Sequence, residues 1–177
     1  MSQCAAIIVA AGSGERFGAK LPKALITLGN KTLLEHAVTS LSPVATEIVV
    51  TAPAGYEDQF KSLLGSEITV VTGGATRSES VRKGLAALND SNKYVLVHDA
   101  ARALAPTSLA RAVLDALIAG DIAVIPGLEQ VDTVKSIDAS GFVIATPDRA
   151  SLRRVQTPQG FLLSALQEAH ARPNHQL

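Results

Sequence analysis

The sequence predicts an α/β fold with a mainly parallel sheet and helices on both of its faces. Two observations predict it. Short runs such as Ala5 to Ala10 and Tyr94 to Val97 are apolar on every residue, as central parallel strands are when both faces are covered. Between such runs lie segments whose apolar residues recur at helical spacing, so strand and amphipathic helix alternate along most of the chain.

In order, the first strand spans Ala5 to Ala10. A glycine-rich loop follows, then a helix carrying Leu33, Leu34, Ala37, Val38 and Leu41 on one face. Glu47 to Thr51 is the next strand, Tyr56 to Leu64 a helix, and Ile68 to Val71 a strand again. Val81, Leu85 and Leu88 mark a helix stopped by the cluster Asn89-Asp90-Ser91-Asn92. After the Tyr94 to Val97 strand, Thr107 or Ser108 caps a helix bearing Leu109, Val113, Leu114, Leu117 and Ile118, with Gly120 as its stop. Ile122 to Ile125 is the fifth strand.

The pattern changes after Pro126. Thr133 to Ile137 and Phe142 to Thr146 flank Asp138-Ala-Ser-Gly141, which reads as a β-hairpin with a short loop. Such a pair buries too little apolar surface to stand alone, so it is expected to project as an arm and pack on something, a second subunit being the candidate. Arg154 to Thr157 is expected to return to the sheet, and Leu162 to Ala171 to form the final helix. No internal repeat, low-complexity tract or linker interrupts this, so residues 1–177 are read as one domain with a hairpin arm at about 130–150.

Composition narrows the function classes. The 177 residues, 47% hydrophobic, suffice for one domain and a real core. Sixteen basic side chains balance sixteen acidic ones, which leaves no positive field for a nucleic-acid backbone. Any bound phosphate must be held locally, by a few residues. The single cysteine, Cys4, excludes an intramolecular disulfide and a cysteine-rich zinc cluster, and a buried free thiol fits the cytosol. The apolar run Cys4 to Ala11 is far shorter than the roughly 20 residues that span a bilayer and has no positive charge ahead of it, so neither a membrane span nor a signal peptide is expected.

Chemistry is most concentrated in Ala10-Ala-Gly-Ser-Gly-Glu-Arg-Phe-Gly-Ala-Lys-Leu-Pro-Lys23, directly after the first strand. Ligands of open α/β sheets bind beyond the carboxyl ends of the strands, and glycines let backbone N–H groups approach phosphate oxygens closely. Arg16, Lys20 and Lys23 add three cations. Gly12, Gly14 and Gly18 are spaced G-x-G-x-x-x-G, which misses the dinucleotide fingerprint, and Gly18-Ala-Lys20-Leu21 misses the P-loop. The segment Gly73-Gly-Ala-Thr-Arg-Ser-Glu-Ser80 pairs two glycines with a helix start, which suits a base edge and ribose hydroxyls but equally a plain cap by Thr76 or Ser78. His98-Asp-Ala-Ala-Arg102 ends a strand on the same sheet edge. Asp99 there could hold Mg²⁺ bridged to phosphates, bond a substrate hydroxyl, or form a structural pair with Arg102. His98 and His36 read as structural, and His170 and His175 as surface residues. No G-x-S-x-G, His-x-x-x-His or paired-carboxylate spacing is present, and Cys4 lies at a strand start rather than beside a base.

In order, AAGSGERFGAKLPKAL, TGGATRSESV, VHDAAR, DTVK, DR and QTPQGF resemble the 2-C-methyl-D-erythritol 4-phosphate cytidylyltransferases of isoprenoid precursor synthesis, from Ala5 to about His170. The resemblance implies a Rossmann-like nucleotidyltransferase fold whose β-arm clasps a second subunit, a cytoplasmic homodimer, and CMP transfer from CTP to methylerythritol phosphate with Mg²⁺ or another divalent cation. It implies Arg16 and Lys23 as the pair stabilising the pentacoordinate α-phosphorus, joined by Arg149. Ala10, Ala11, Gly12, Ser13 and Gly14 would line the triphosphate and base, and Gly74, Ala75 and Ser80 would face cytosine and ribose. Asp99, Arg102, Thr133, Arg149 and Thr157 correspond to acceptor contacts, with Thr133 and Arg149 coming from the partner's arm and Asp99 also the candidate metal ligand.

This chain departs from the family pattern in three places. Ala75 stands where some members carry Asp, and Ala103 replaces a common proline. The family also continues past the position of Leu177 with a TDDA-like segment, a further strand and a lysine that helps place the acceptor phosphate. A chain truly ending at Leu177 is expected to bind nucleotide and turn over very weakly. Competing expectations are a ribitol 5-phosphate cytidylyltransferase, from which HDAAR with DTVK points away, and a non-catalytic nucleotide-binding descendant, against which Arg16 and Lys23 speak. A sugar 1-phosphate nucleotidyltransferase fits less well, because its loop normally has a different run after the glycines.

Overall fold

β1 (Cys4–Val9) lies inside a six-stranded sheet because its side chains find apolar cover on both faces. The computed structural model describes residues 3–12 and 21–172. After β1 come β2 (Thr27–Leu28), β3 (Lys31–Thr32), α1 (Leu33–Leu41), β4 (Glu47–Ala52), α2 (Glu57–Leu64), β5 (Thr69–Thr72), α3 (Arg77–Leu85), β6 (Tyr94–Asp99) and α4 (Thr107–Ala119). Then follow β7 (Ala123–Val124), β8 (Gly127–Glu129), β9 (Ser136–Ile137), β10 (Val143–Ala145), β11 (Arg153–Val155), β12 (Gln159–Leu162) and α5 (Leu163–Ala171).

The sheet order is β5-β4-β1-β6-β12-β7. The first four are parallel, and β12 runs antiparallel between β6 and β7. Alternation along each strand divides the core in two. Cys4, Ala6, Ile8, Val50 and Leu96 face α1, α2 and α4, where Leu34, Phe60 and Leu114 are buried. Ile7, Val95 and Val97 face α3 and α5, where Val81, Leu85 and Leu163 are buried. The mainly parallel sheet with helices on both faces is therefore observed.

Several boundaries are set by packing that local pattern does not reveal. The strand that returns to the sheet is β12, not Arg154 to Thr157. Arg153–Val155 is exposed and pairs instead with β8. Gly160 explains the choice: a Cβ there would come within 2.4 Å of Val113 Cγ1, so only a glycine-bearing strand lets α4 sit this close. Thr107 and Ser108 do not cap α4. Pro106 occupies the cap position, and the Thr107 hydroxyl instead donates to the Ser40 carbonyl at 2.9 Å. Gly120 does end α4, at a positive φ of 122°.

The hairpin is narrower than its sequence reading, with Val143 opposite Ile137 and Ala145 opposite Ser136. Asp138 shapes its turn, Oδ1 accepting the N–H groups of Ser140 and Phe142, both at 2.9 Å. Its apolar side chains are open: Phe142 is 72% exposed and Ile144 67%.

Candidate active site

Three strand ends meet at the carboxyl edge of the sheet. β1 passes into Ala10, Ala11 and Gly12. The Ala10 N–H donates to the Thr51 carbonyl at 3.0 Å, and the Ala100 N–H donates to the Val9 carbonyl at 3.0 Å. These bonds tie the start of the first loop to β4 and the end of β6 to β1. The loop after β5 closes in from the other side. A Cβ on Gly73 would lie 2.2 Å from the Ala11 Cβ, so the two loops touch only because residue 73 is glycine.

Thr76 caps α3, its side chain accepting the Glu79 N–H at 3.1 Å while the Glu79 carboxylate reaches back to the cap backbone. Of the two expected caps, Thr76 is the one used. Glu79 also takes the Ala75 N–H at 2.8 Å. Ser80 lies beneath the loop, 1% exposed, accepting the Gly74 N–H and donating to the Thr76 carbonyl, both at 3.0 Å. The N–H groups of Gly74 and Ala75 are thus both used inside the loop. Lys83 closes it from the next turn of α3, its Nζ donating to the Gly73 carbonyl at 2.7 Å.

Lys23 opens a short 3₁₀ turn, Lys23–Leu25, pinned to the core by buried Ala24. Lys23 is half-buried. Arg16, Lys20, Ser13 and Gly14 lie outside the described residues, as does His175.

Asp99 ends β6 on the α3 side of the sheet. Its Oδ1 accepts Arg77 Nε at 2.8 Å, and its Oδ2 lies 3.6 Å from Arg102 Nε. The Asp99–Arg102 pair is thus present, with Arg77 as a second cation. Arg77 Nη2 also donates to Gln159 Oε1 at 3.0 Å, while Arg102 holds the Gln156 side chain and the Val155 carbonyl. The metal role expected of Asp99 does not fit this setting. The Arg77 and Arg102 guanidinium groups already face the carboxylate, so a cation placed there would compete with both of them.

Thr157 is 4% exposed and bridges two neighbours on β6. Its Oγ1 accepts the Asp99 N–H at 3.2 Å and lies 2.9 Å from His98 Nδ1. His98 is fully buried, and burial pushes its pKa down to about 4, partly opposed by the Asp99 charge and the Arg102 backbone. The structural role read for His98 is observed, as it is for His36, whose Nε2 lies 2.9 Å from the Leu28 carbonyl. His170 is half-buried rather than on the surface. Burial raises the Cys4 thiol to about 12, which makes it inert.

The structure therefore brings Ala10, Ala11, Gly12, Gly74, Ala75, Ser80, Asp99, Arg102 and Thr157 to one sheet edge. It places Thr133 and Arg149 on the arm, both exposed. Arg149 Nη1 donates to the arm's own Val131 carbonyl at 2.9 Å, and among the described residues no hydrogen bond or ion pair joins it to Asp99 or Arg102. Sequence reading missed Arg77. A signal was available: Arg77 is the first residue of α3, where the helix dipole disfavours a cation, so it needs a nearby anion.

A family model described as 2-C-methyl-D-erythritol 4-phosphate cytidylyltransferase matches residues 4–176. Curated relatives carrying that description include one from Frankia casuarinae, 50% identical over 94% of this chain, and one from Rhodococcus jostii, 48% identical over 94%. The chain spans 64% of the length of the first and 74% of the second. A crystal structure of a 4-diphosphocytidyl-2C-methyl-D-erythritol synthase from Anaerococcus prevotii superposes with a TM-score of 0.83 at 33% identity, over 96% of this chain and 74% of that one.

Proposed function

The chain belongs to the 2-C-methyl-D-erythritol 4-phosphate cytidylyltransferase family, and on that premise we propose that it transfers CMP from CTP to 2-C-methyl-D-erythritol 4-phosphate, giving 4-diphosphocytidyl-2-C-methyl-D-erythritol and pyrophosphate in the non-mevalonate isoprenoid pathway. An acceptor phosphate oxygen attacks the α-phosphorus in line. One P–O bond forms, the bond from the α-phosphorus to the bridging oxygen breaks, and pyrophosphate leaves with that electron pair. The attacking oxygen is already anionic, so no base is required.

What the reaction needs is charge compensation, since an anion attacks an anion and charge spreads over the equatorial oxygens. Lys23 and Arg16 fill that role, with Arg149 added from a partner's arm. Ala10 to Gly14 receive the triphosphate. Around Gly74 and Ala75 the backbone N–H groups are used within the loop, so the backbone offers acceptors, which suits the amino group of cytosine better than the carbonyl of uracil. Asp99 and Arg102, held in place by Thr157, receive the acceptor together with Thr133 of the arm. A divalent cation, Mg²⁺ or another, would neutralise charge on the triphosphate when bound, and Asp99, already facing two guanidinium groups, is poorly suited to hold it.

The single observation behind this assignment is the meeting of three strand ends, Ala11 against Gly73 and Ala100 bonded to Val9. It brings the glycine-bearing loops beside the Asp99–Arg102 pair, which supports reading them as a nucleotide loop next to an acceptor pocket. The open apolar side chains of β9 and β10 support an arm that covers itself on a second copy of this chain, so the domain is read as a homodimer through its arm. No described helix is long and apolar enough to cross a membrane, and with the buried thiol of Cys4 this supports a cytoplasmic location. CTP labelled at the α-phosphorus tests the reaction: the label should pass into the acceptor adduct, with unlabelled pyrophosphate released. Label leaving with pyrophosphate, or remaining in CTP, would refute the transfer.

A further inference from the structure

Among the described residues, His98 is the one fully buried ionisable group at this sheet edge, and CMP transfer as described does not use it. Alternation along β6 turns His98 and Asp99 to opposite faces of the sheet, yet both are tied to Thr157. The hydroxyl of Thr157 has one hydrogen to give. Its oxygen is taken as acceptor by the Asp99 N–H at 3.2 Å, and the ring nitrogen 2.9 Å away is the acceptor its own hydrogen can reach. No other acceptor lies within reach of that hydrogen among the described residues, so donation to Nδ1 satisfies it and puts the ring hydrogen on Nε2, which has no hydrogen-bond partner of normal geometry.

Thr157 belongs to the segment in which the chain returns from the arm. On one side of it Arg102 holds Gln156 and the Val155 carbonyl, and on the other Arg77 holds Gln159. Those three bonds are exposed and formed by long arginine side chains, whereas the His98–Thr157 bond is buried. It is therefore the fixed point about which Asp99, Arg102 and the root of the arm are set.

We propose that His98 is a positioning residue for the acceptor end of the site, holding the return segment of the arm against the end of β6 through the Thr157 hydroxyl. This rests on the acceptor pocket assigned above. It has a direct corollary: the Thr157 hydroxyl donates inward and does not donate to a phosphate of the acceptor.

Four variants and one spectrum test it. His98→Leu keeps bulk and removes the acceptor atom, and should raise the KM for methylerythritol phosphate roughly tenfold while the KM for CTP stays within about twofold. His98→Asn sets an amide oxygen near the Nδ1 position and should recover most of that loss. Thr157→Val should match His98→Leu, and the double variant should be little worse than either. KM values for CTP and acceptor rising together, or no change in either, would overturn the proposal. Should His98→Leu fail to fold, ¹⁵N spectra of histidine in the unaltered chain decide alone. A neutral ring protonated at Nε2, with Nδ1 accepting, supports the clasp; a proton on Nδ1 overturns it. The spectrum needs no substrate, so a chain that turns over no acceptor would refute the CMP-transfer assignment while the clasp is still judged separately.

Discussion

The Asp99 carboxylate receives the Arg77 guanidinium at 2.8 Å, joining the end of β6 to the first residue of α3 across 22 positions of sequence. With Arg102 on its other oxygen, Asp99 neutralises one of two cations and leaves the cluster a net positive charge beside the loop that follows β5. All three side chains are partly open to solvent, so the cluster matters less to stability than to what it can hold.

Asp99→Asn should therefore act on the acceptor. The KM for methylerythritol phosphate should rise about tenfold, with the KM for CTP and the half-saturating Mg²⁺ concentration little changed. Steady-state kinetics at several Mg²⁺ concentrations make the check. A shift in metal dependence would restore Asp99 as a metal ligand.

Lys23→Ala and Arg16→Ala should each lower kcat by roughly 10²–10³, with a much smaller change in CTP affinity, because the charge they answer develops in the transition state. Turnover and equilibrium nucleotide binding measured on the same preparations separate the two effects. A loss confined to KM would mean that these cations only bind the ground state.

If Arg149 reaches its site from the partner, two inactive variants should repair one another. Mixing Arg16→Ala with Arg149→Ala subunits gives heterodimers in which one site has both arginines intact. Activity should appear on mixing and subunit exchange that neither variant has alone. Its absence, once exchange is verified, would place Arg149 in its own subunit's site.

His98 should also leave a trace in stability. Its pKa is about 4 when folded and 6.5 for the ordinary side chain, so the unfolded chain binds the extra proton first. Stability should therefore fall as pH drops from 6.5 towards 4, by up to about 3 kcal/mol from this group, and this contribution is fully present above pH 6.5. Denaturant melts of the unaltered chain and His98→Asn across that range isolate it. Parallel curves for the two proteins would contradict the assignment.

What the sequence disclosed follows from where burial is uniform. β1, β4 and β6 are legible because a strand covered on both faces must be apolar throughout, and α1, α3 and α4 because their stripes face one core. β2, β3 and β8 escaped notice because two or three residues have no period to read, and β11, within the strand read at Arg154 to Thr157, pairs with β8 rather than with the main sheet. β12 was displaced by a few residues because its signature is a packing requirement at Gly160, visible only once α4 is in place. The candidate site divides in the same way. Its glycine loops and the Asp99–Arg102 pair follow from local chemistry. The contacts of Arg77 with Asp99 and of His98 with Thr157 join segments far apart in sequence, and only the strand order brings them together.

The most direct measurement is pyrophosphate release by the chain of verified mass, with CTP and Mg²⁺, offered methylerythritol phosphate or ribitol 5-phosphate. Release with methylerythritol phosphate, and little with ribitol 5-phosphate, is the predicted result. Release with ribitol 5-phosphate in preference, or with neither acceptor while CTP binds, would contradict the function proposed for this chain.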